Sequence, residues 1–445
     1  MRSPFIVREY DRIICKKGDS NDQNIKNEYK PLDEPFFSSL EEFIHAFSGN
    51  EENSDVLDFL KIGFKRNVGD IISINNYVGL IQMQNGFQIQ ILPKIDFADG
   101  IADDKDQKTK QIFLKMLRSL RDFPNKVFNE ANLDIGRMNL YEIFINMYLQ
   151  EVRALLKRGL KSTYKSQEEN TRFYKGKLVV SEHIRHNAAH GERFYMRYDG
   201  YLIDRPENRL IKSTLLKLHG ISSNERNQRE IRQLLTSFEL VKPSVNHQKE
   251  LSRVTIDRST TDYKTLMIWS KVFLLNKSFT TFSGDTNARA LLFPMEKVFE
   301  SYVALQLKKK VRGLQCKVNI QDKRYCLFDT PERFELRPDI VITKDDGSKV
   351  ILDTKWKKLI DRPSYNYGIS QADMYQMYAY AKKYNTPDVW LIYPMNEEMR
   401  EHQDEISFKS NDNVNVRIYC ISIDNMEYSI EELCKKMGLW THPIS

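Results

Sequence analysis

The chain has 445 residues, a formal net charge of +7, 41% hydrophobic residues and 29% charged residues. These values are ordinary for a globular protein and predict two or three domains, each long enough to bury its own core. They exclude a low-complexity chain, and no apolar run approaches the ~20 residues that cross a membrane.

The first 130 residues are predicted to form a β-rich N-terminal domain (residues 1–130). Residues 77–95 are typical of a hairpin that turns at Gln84-Asn85-Gly86, because Asn-Gly is a strong turn signal and the second arm alternates apolar and polar residues. The acidic segment 96–110 is predicted to be an exposed loop, followed by a helix over residues 111–123.

Residues 131–284 are predicted to form a mostly helical middle domain. Apolar residues recur at helical spacing in the segments 140–157, 207–219, 231–240 and 263–275. The first of these helices leads into a polar, basic segment, KRGLKSTYKSQEENTRFYKGKL, which is too long for a tight connection between helices. Ser283-Gly284-Asp285 marks the predicted boundary with the last domain.

The last domain, residues 285–445, begins with a predicted helix over residues 287–312. Glu296 and Glu300 lie four residues apart and share one face of this helix. We expect Glu296 to be an exposed acid paired with a lysine, and Glu300 to serve the site described next. Strands are predicted over residues 389–395 and 414–423, and a closing helix over residues 430–437.

The segment ELRPDIVITKDDGSKVILDTKWKK, residues 335–358, is the most informative part of the chain. It predicts two buried strands joined by a turn, because a run of apolar residues follows Asp339 and another precedes Asp353. Asp353 and Lys355 lie two residues apart and therefore share a strand face. The hairpin brings Asp339 beside them.

Two carboxylates and a lysine at one end of a hairpin suit the hydrolysis of phosphodiesters. Asp339 and Asp353, with the backbone carbonyl of Thr354, offer the oxygen ligands that Mg²⁺ prefers, and Mn²⁺ is a possible substitute. Lys355 would orient the attacking water or stabilise developing charge. The alternative is that both aspartates are ordinary strand-end acids and that Lys355 is an exposed lysine.

Residues 369–384, ISQADMYQMYAYAKKY, predict a helix downstream of the hairpin. Gln371 and Tyr375 lie four residues apart on one face, where they could contact a DNA backbone or brace Lys355. The alternative is an amphipathic helix whose tyrosines fill the core, which accounts for Tyr378 and Tyr380.

The order Glu300, Pro338-Asp339, Asp353-x-Lys355 and Gln371-x-x-x-Tyr375 resembles the PD-(D/E)xK nuclease superfamily. The segments ILDTKWK and SQADMYQMYAYAKKY are similar to the McrC subunits of McrBC restriction systems, as are KRGLKSTY, YKGKLVVSEHIR and RPENRLIKSTL. This resemblance implies a multidomain α/β protein whose C-terminal domain has the fold of a restriction endonuclease.

The resemblance also implies a function. The chain would be a Mg²⁺-dependent endodeoxyribonuclease of antiviral restriction, with Asp339, Asp353 and Thr354 as metal ligands. Lys355 and Glu300 would be catalytic, and Gln371 and Tyr375 would support the site. A hexameric McrB-type AAA+ GTPase would deliver double-stranded DNA to this chain, and the chain would stimulate the GTPase.

The basic segment after residue 157 is the predicted partner contact, through Lys157, Arg158 and Lys161. Basic side chains at a loop tip reach nucleotide-binding interfaces, although a solvated basic loop explains the same residues equally well. The chain has no Gly-x-x-x-x-Gly-Lys-Ser/Thr loop, so we expect it to bind no nucleotide itself. Its net charge of +7 is mild for a protein that binds DNA alone, which favours delivery by the partner.

Two rival functions stay open at this point. One is a non-cleaving regulatory cap on an AAA+ ring, and the other is a RecB-like repair nuclease that acts alone.

Five scattered cysteines without a Cys-x-x-Cys pair predict reduced thiols and a cytoplasmic protein. The N-terminal segment MRSPFIVREYDRII has no signal-peptide core, and we expect no contact with a membrane.

Overall fold

The structure is a computed structural model. It describes residues 4–16, 29–48, 59–66, 68–83, 87–95, 105–120, 123, 138–275, 288–314, 316–402 and 405–439. Helices and sheets are mixed throughout, which confirms the predicted α/β class. The chain divides into two compact units: a middle unit, residues 138–275, and a two-segment unit, residues 4–123 together with 288–439. No helix in these ranges is long and apolar enough to cross a membrane.

The N-terminal segment of the two-segment unit consists mainly of strands. Its elements are β1 (Phe5–Arg8), β2 (Arg12–Cys15), β3 (Tyr29–Leu32), α1 (Glu34–Ser48), β4 (Leu60–Lys65), β5 (Gly69–Ile74), β6 (Tyr77–Met83), β7 (Gln88–Leu92) and α2 (Lys105–Leu117). Strands β6 and β7 pair antiparallel as predicted, and their turn at residues 84–86 lies outside the described residues. The predicted loop over residues 96–110 was wrong from residue 105 on, because α2 begins at Lys105 and Thr109 and Phe113 are buried one turn apart; residues 96–104 lie outside the described residues.

The middle unit is a helical core with a small sheet. Its elements are α3 (Leu140–Arg158), β8 (Thr163–Thr171), β9 (Lys177–Leu178), α4 (Val180–Asn187), β10 (Phe194–Leu202), α5 (Pro206–Ile221), α6 (Glu225–Thr236), α7 (His247–Arg253) and α8 (Lys264–Leu275). Helices α3, α5 and α8 correspond to predicted ones, whereas the helix predicted over residues 231–240 begins six residues earlier and ends four residues earlier, as α6. In the core, the buried rings of Trp269 and Phe273 stack with their centroids 5.3 Å apart.

The antiparallel sheet of the middle unit, in the order β8-β10-β9, was not predicted. Strand β8, TYKSQEENT, is polar and contains no buried residue. The alternation of apolar and polar residues that predicts a half-buried strand is therefore missing, and β8 is defined by its pairing with β10 along its whole length.

The C-terminal segment adds a helix-flanked sheet to the two-segment unit. Its elements are β11 (Ala288–Pro294), α9 (Met295–Lys310), β12 (Cys316–Ile320), β13 (Cys326–Asp329), β14 (Glu332–Glu335), β15 (Ile340–Lys344), β16 (Lys349–Thr354), α10 (Gln371–Tyr384), β17 (Asp388–Pro394), α11 (Glu397–Arg400), β18 (Ser407–Lys409), β19 (Asn415–Ile421) and α12 (Met426–Lys436). Six strands form one sheet in the order β12-β15-β16-β17-β19-β18. Strands β15 and β16 are the predicted hairpin, and β16, β17 and β19 run parallel.

Strand β11 belongs to the sheet of the N-terminal segment. The helix predicted over residues 287–312 begins only at Met295, because residues 288–294 pair antiparallel with β6. Gly79 of β6 permits this close approach: a Cβ atom there would lie 1.9 Å from the carbonyl oxygen of Leu291. The sheet order β1-β7-β6-β11 explains why two segments distant in sequence form one unit.

The buried strands of the six-stranded sheet position the candidate site. Val341, Ile351 and Leu391 of three neighbouring strands are fully buried and belong to one apolar cluster with Met377 and Tyr380 of α10. These side chains pack β15 and β16 against α10. The polar residues at those ends are described next.

Candidate active site

The structure brings together Glu300, Asp339, Asp353 and Lys355. Asp339 immediately precedes β15, and Asp353 lies near the end of β16. Because Ile340 pairs with Leu352, the two aspartates are neighbours at the same end of the hairpin. Glu300 comes from the middle of α9, and Lys355 directly follows β16.

Asp339 is held by three directed hydrogen bonds. Its Oδ2 accepts from the backbone N–H of Thr354 at 2.8 Å and from the Thr354 hydroxyl at 2.7 Å. Its Oδ1 accepts from the side-chain amide of Gln321 at 3.0 Å. The same amide nitrogen of Gln321 also donates to Glu300 Oε1, so one neutral side chain bridges two acids.

Sequence reasoning missed Gln321. It follows β12 with a left-handed backbone (φ 51°), and its N–H continues the strand ladder by donating to the Asp339 carbonyl at 2.8 Å. No motif marks it, since it lies eighteen residues from Asp339 in sequence. Only the pairing of β12 with β15 places it beside the acids.

Lys355 lies between the acids and helix α10. Its Nζ lies 2.8 Å from Asp353 Oδ2 and 3.5 Å from Asp373 Oδ1. It donates to Gln376 Oε1 at 3.1 Å, and the Gln376 amide donates in turn to the Tyr380 hydroxyl at 2.8 Å. Asp373 and Gln376 were not predicted as site residues.

The predicted pair Gln371 and Tyr375 lies on the exposed face of α10. The Gln371 amide donates to the Tyr375 hydroxyl at 2.5 Å, and Tyr375 is 66% exposed. Helix α10 contains a second Gln-x-x-x-Tyr pair, Gln376 and Tyr380, and this second pair contacts Lys355. Tyr380 is 1% exposed and fills the core as expected, but its hydroxyl also supports the lysine brace. In the sequence, the second Gln-x-x-x-Tyr spacing, Gln376 to Tyr380, was the pattern that could have identified this pair.

Burial dominates the electrostatics of the acids. Burial, together with repulsion from the neighbouring Asp339, raises the pKa of Glu300 and of Asp353 to about 7 each. Burial also raises the pKa of Asp339, against the hydrogen bonds from Thr354. For Lys355, burial lowers the pKa, but the carboxylates of Asp353 and Asp373 outweigh it, and the net pKa is raised. Lys355 therefore stays a cation at neutral pH.

The acids fit a divalent cation. Asp353 is 2% exposed, and its buried Oδ2 accepts no directed hydrogen bond, since the Lys355 ammonium contacts it only as an ion pair. A crowded set of buried carboxylates is stabilised by added positive charge. Within the described ranges no group of three or more His, Cys, Asp or Glu side chains forms a ready-made metal cage. An open site of two carboxylates, completed by water, is the arrangement that Mg²⁺ commonly uses.

A further buried acid, Glu9 of the N-terminal segment, contacts the residue after Lys355. Both oxygens of Glu9 accept from the Trp356 indole N–H, at 2.9 and 2.8 Å, and Oε1 accepts from the Lys94 backbone N–H at 2.7 Å. The Trp356 ring lies 5.2 Å from that of Phe299, the neighbour of Glu300. The N-terminal segment therefore contacts Trp356, the neighbour of Lys355, and Trp356 in turn contacts Phe299, the neighbour of Glu300.

Glu296 is exposed, as expected, and lies one helical turn before Glu300 on α9. It lines a cavity of about 440 Å³ together with Glu9, Tyr10 and Trp356.

The predicted partner contact lies in the middle unit. Lys157 and Arg158 end α3, and Arg158 forms an ion pair with Asp262. The backbone of Lys161 is fixed on both sides: its N–H donates to the Tyr263 hydroxyl at 2.9 Å, and its carbonyl accepts from the Asn208 side chain at 3.1 Å.

Comparison with known sequences identifies the family. The sequence model described as "McrBC 5-methylcytosine restriction system component" matches residues 72–394, most of the chain. The chain belongs to this McrBC family. The resemblance to McrC that the sequence motifs indicated is thereby confirmed. No curated protein sequence matches the chain closely enough to count as a relative.

A solved structure extends the McrBC likeness to the fold. A half-complex from a tetradecameric assembly of Thermococcus gammatolerans McrB AAA+ hexamers with bound McrC matches with a TM-score of 0.68 and 18% identity, over 98% of this chain and 100% of that chain. A cryo-EM structure of the Thermococcus gammatolerans McrBC complex matches with a TM-score of 0.46 and 20% identity, over 68% of this chain and 86% of that chain.

Proposed function

We propose that this McrBC-family chain is the nuclease subunit of its restriction system. It is a Mg²⁺-dependent endonuclease of the PD-(D/E)xK type that cleaves double-stranded DNA. One observation supports this proposal above all. Four side chains lie together at one end of the β15–β16 hairpin: Asp339, Asp353, Lys355 and Glu300.

Asp339 and Asp353, with the backbone carbonyl of Thr354, would hold Mg²⁺ or Mn²⁺. When bound, such a metal polarises the phosphate and lowers the pKa of a bound water. Glu300 supplies a further carboxylate, which the Gln321 amide holds against Asp339. The Thr354 N–H and hydroxyl orient Asp339 so that its other oxygen remains directed toward Gln321.

Lys355 acts as a fixed positive charge. Its ion pair with Asp353 favours the charged form, and in that form it orients the attacking water and stabilises the charge on the phosphate. Asp373 and Gln376 hold its ammonium in place from α10. Gln371 and Tyr375 present polar groups on the exposed face of the same helix, where they would contact the DNA backbone.

A McrB-type AAA+ GTPase ring is the proposed partner that delivers the DNA. The Thermococcus gammatolerans assembly, which contains McrB hexamers with bound McrC, supports this partner through a fold shared over nearly the whole chain. The chain would stimulate the GTPase of the ring. Lys157, Arg158 and Lys161 are the proposed contact.

An exposed aromatic pair adds to this contact surface. Tyr164 and Tyr201 are cross-strand partners in the β8-β10-β9 sheet, 74% and 65% exposed, with ring centroids 5.0 Å apart. Exposed aromatic groups next to basic residues are typical of protein interfaces. Since β8 begins two residues after Lys161, the rings and the lysine are parts of one surface.

Alanine substitutions test the partner contact through the stimulated GTPase rate. Arg158→Ala removes only a half-exposed ion pair, worth about 0–1 kcal/mol, so the middle unit should remain folded. Arg158→Ala with Lys161→Ala, and separately Tyr164→Ala with Tyr201→Ala, should reduce stimulation. Unchanged stimulation would remove the tested residues from the contact.

Cleavage of methylated and unmethylated plasmid DNA tests the function itself. The chain is assayed with Mg²⁺, alone and with a neighbouring AAA+ GTPase and GTP. Cleavage only in the complete mixture supports the proposal. Cleavage by the chain alone would favour a stand-alone repair nuclease. Stimulated GTP hydrolysis without cleavage would favour a non-cleaving cap.

A further inference from the structure

The segment 321–338 leaves the main sheet at the candidate active site. It connects the neighbouring strands β12 and β15 through the hairpin β13–β14. Gln321 begins the segment and hydrogen-bonds to both Asp339 and Glu300, and Asp339 follows its end. Both ends of the segment that carries the hairpin therefore lie beside the acids.

The base of the hairpin is firmly attached to α10. Asp322 is 7% exposed and accepts from the Tyr384 hydroxyl at 2.9 Å and from the Arg324 guanidinium at 2.8 Å. The Tyr325 ring packs edge-on against Tyr384 with centroids 4.6 Å apart. The hairpin is thus a fixed projection beside the site.

The far part of the hairpin exposes two phenylalanine rings. Phe328 is 56% exposed and Phe334 is 72% exposed, and their ring centroids lie 5.8 Å apart at 68°. Packing within this chain leaves most of both rings accessible. Two adjacent exposed phenylalanines on a fixed hairpin are typical of a contact surface.

The backbone of Phe334 deviates from a regular strand to form this pair. Phe328 is opposite Arg333 in the register, so a regular strand would direct Phe334 to the other face. Phe334 instead has a φ of 60°, in the left-handed region that bulky residues rarely occupy. Strained residues of this kind cluster at ligand-binding elements.

The segment 321–338 carries four acids and four basic residues, so its net charge of zero does not exclude a polyanion. Two of the three acids of the hairpin pair with lysines, Asp329 with Lys383 at 2.8 Å and Glu335 with Lys323 at 3.5 Å. Arg337, at the end of the segment, acts electrostatically on Glu300, so its positive charge lies near the candidate site.

The rings lie close enough to Asp339 along the chain to reach DNA that is bound at the candidate site. Phe334 lies five residues before Asp339, and an extended strand rises about 3.3 Å per residue, giving at most about 17 Å. Successive nucleotides of a strand are about 3.4 Å apart along the helix axis, so this span covers about five base pairs.

We propose that the Phe328–Phe334 edge contacts DNA by inserting at a base step within about five base pairs of the cleaved phosphate. This inference rests on the proposed function, since it takes double-stranded DNA as the substrate. The rings are positioned from the same segment that carries Gln321, so the contact fixes the duplex relative to the acids.

The test uses the complete assembly of chain, AAA+ partner and GTP on duplexes that carry 2-aminopurine at successive positions around the mapped cleavage site. Asp353→Asn keeps the DNA uncut during the fluorescence measurement. Phe328→Ser with Phe334→Ser removes the rings, and Phe64→Ser is the matched control, because Phe64 is 77% exposed on β4, a strand of a different sheet.

The assembly with intact rings, and the Phe64→Ser control, should show raised 2-aminopurine fluorescence within about five base pairs of the cut, and the double variant should not. In the cleavage-competent background the double variant should cut at least about fivefold more slowly, because stacking on a base contributes a factor of this order or more.

Unchanged fluorescence in the double variant would overturn the inference. Loss of GTPase stimulation or altered oligomeric state, with unchanged fluorescence, would assign the rings to a protein interface instead. If the wild-type assembly fails to cleave, the 2-aminopurine is scanned along the whole duplex instead; ring-dependent fluorescence at any position then supports the DNA contact while the nuclease proposal fails.

Discussion

The buried carboxyl of Glu9 gives the stability of the two-segment unit a defined dependence on pH. Burial raises the pKa of Glu9 from 4.5 to about 7, against hydrogen bonds from Lys94 and Trp356. The folded chain therefore retains a proton that the unfolded chain releases between these two pH values. The stability that protonated Glu9 contributes at low pH is therefore lost as the pH rises from about 4.5 to about 7.

The size of the effect follows from the shift. Each pKa unit corresponds to about 1.4 kcal/mol, so the ionised Glu9 lowers the free energy of unfolding by roughly 3 kcal/mol above pH 7. Glu9→Gln removes this cost while its carbonyl oxygen still accepts from Lys94 and Trp356. The variant should match the wild type near pH 4.5 and exceed it by roughly 2–3 kcal/mol near pH 8.

Denaturant unfolding at about pH 5 and about pH 8 measures the difference. Hydrogen exchange of peptides that contain Lys94 and Trp356 assigns it to the two-segment unit. Glu34→Gln, at an exposed acid that begins α1, is the matched control and should parallel the wild type. Parallel pH profiles for wild type and Glu9→Gln would refute the reasoning.

Three further predictions concern the site. Gln321→Ala should raise the Mg²⁺ concentration for half-maximal cleavage by about tenfold or more, since hydrogen bonds to charged groups contribute about 1.5–3 kcal/mol; a Mg²⁺ titration giving the wild-type midpoint would contradict this. Gln376→Leu should lower the cleavage rate by about tenfold, because Gln376 holds Lys355. Gln371→Leu, in the exposed pair, should lower the rate less. Equal decreases in rate would show that Gln376 and Tyr380 have no special role. Mg²⁺ should raise the unfolding temperature of the wild type but not of Asp353→Asn, because the ion relieves repulsion between buried carboxylates; an equal rise in both would exclude Asp353 as a ligand.

The sequence predicted those parts of the fold whose signals are local. The hairpin of β15 and β16 was recognisable because its apolar runs are buried on both faces, and the middle helices because their periodicity is strong. Strand β11 was read as helix, since its pairing partner β6 lies about 200 residues away and its apolar run fits either structure. Strand β8 is polar and exposed, so no apolar pattern marked it.

The residues of the candidate site likewise divide into those that a local motif predicted and those that only the fold brings together. Asp339, Asp353 and Lys355 carry a recognisable spacing because one hairpin presents all of them. Gln321 reaches the site, and Glu9 reaches Trp356 next to Lys355, only through strand pairing and tertiary packing, which no local motif encodes. The contribution of Gln376 was concealed by an identical spacing five residues earlier, and only burial distinguishes the two pairs.

The central claim is that Asp339, Asp353 and Lys355 perform the cleavage. The most direct measurement is Mg²⁺-dependent cutting of duplex DNA by the assembled complex that carries Asp339→Asn, Asp353→Asn or Lys355→Ala, with GTPase stimulation measured in the same samples. Each substitution should abolish cutting and leave the stimulated GTPase intact. Cutting at the wild-type rate in any two of the three variants would contradict the assignment.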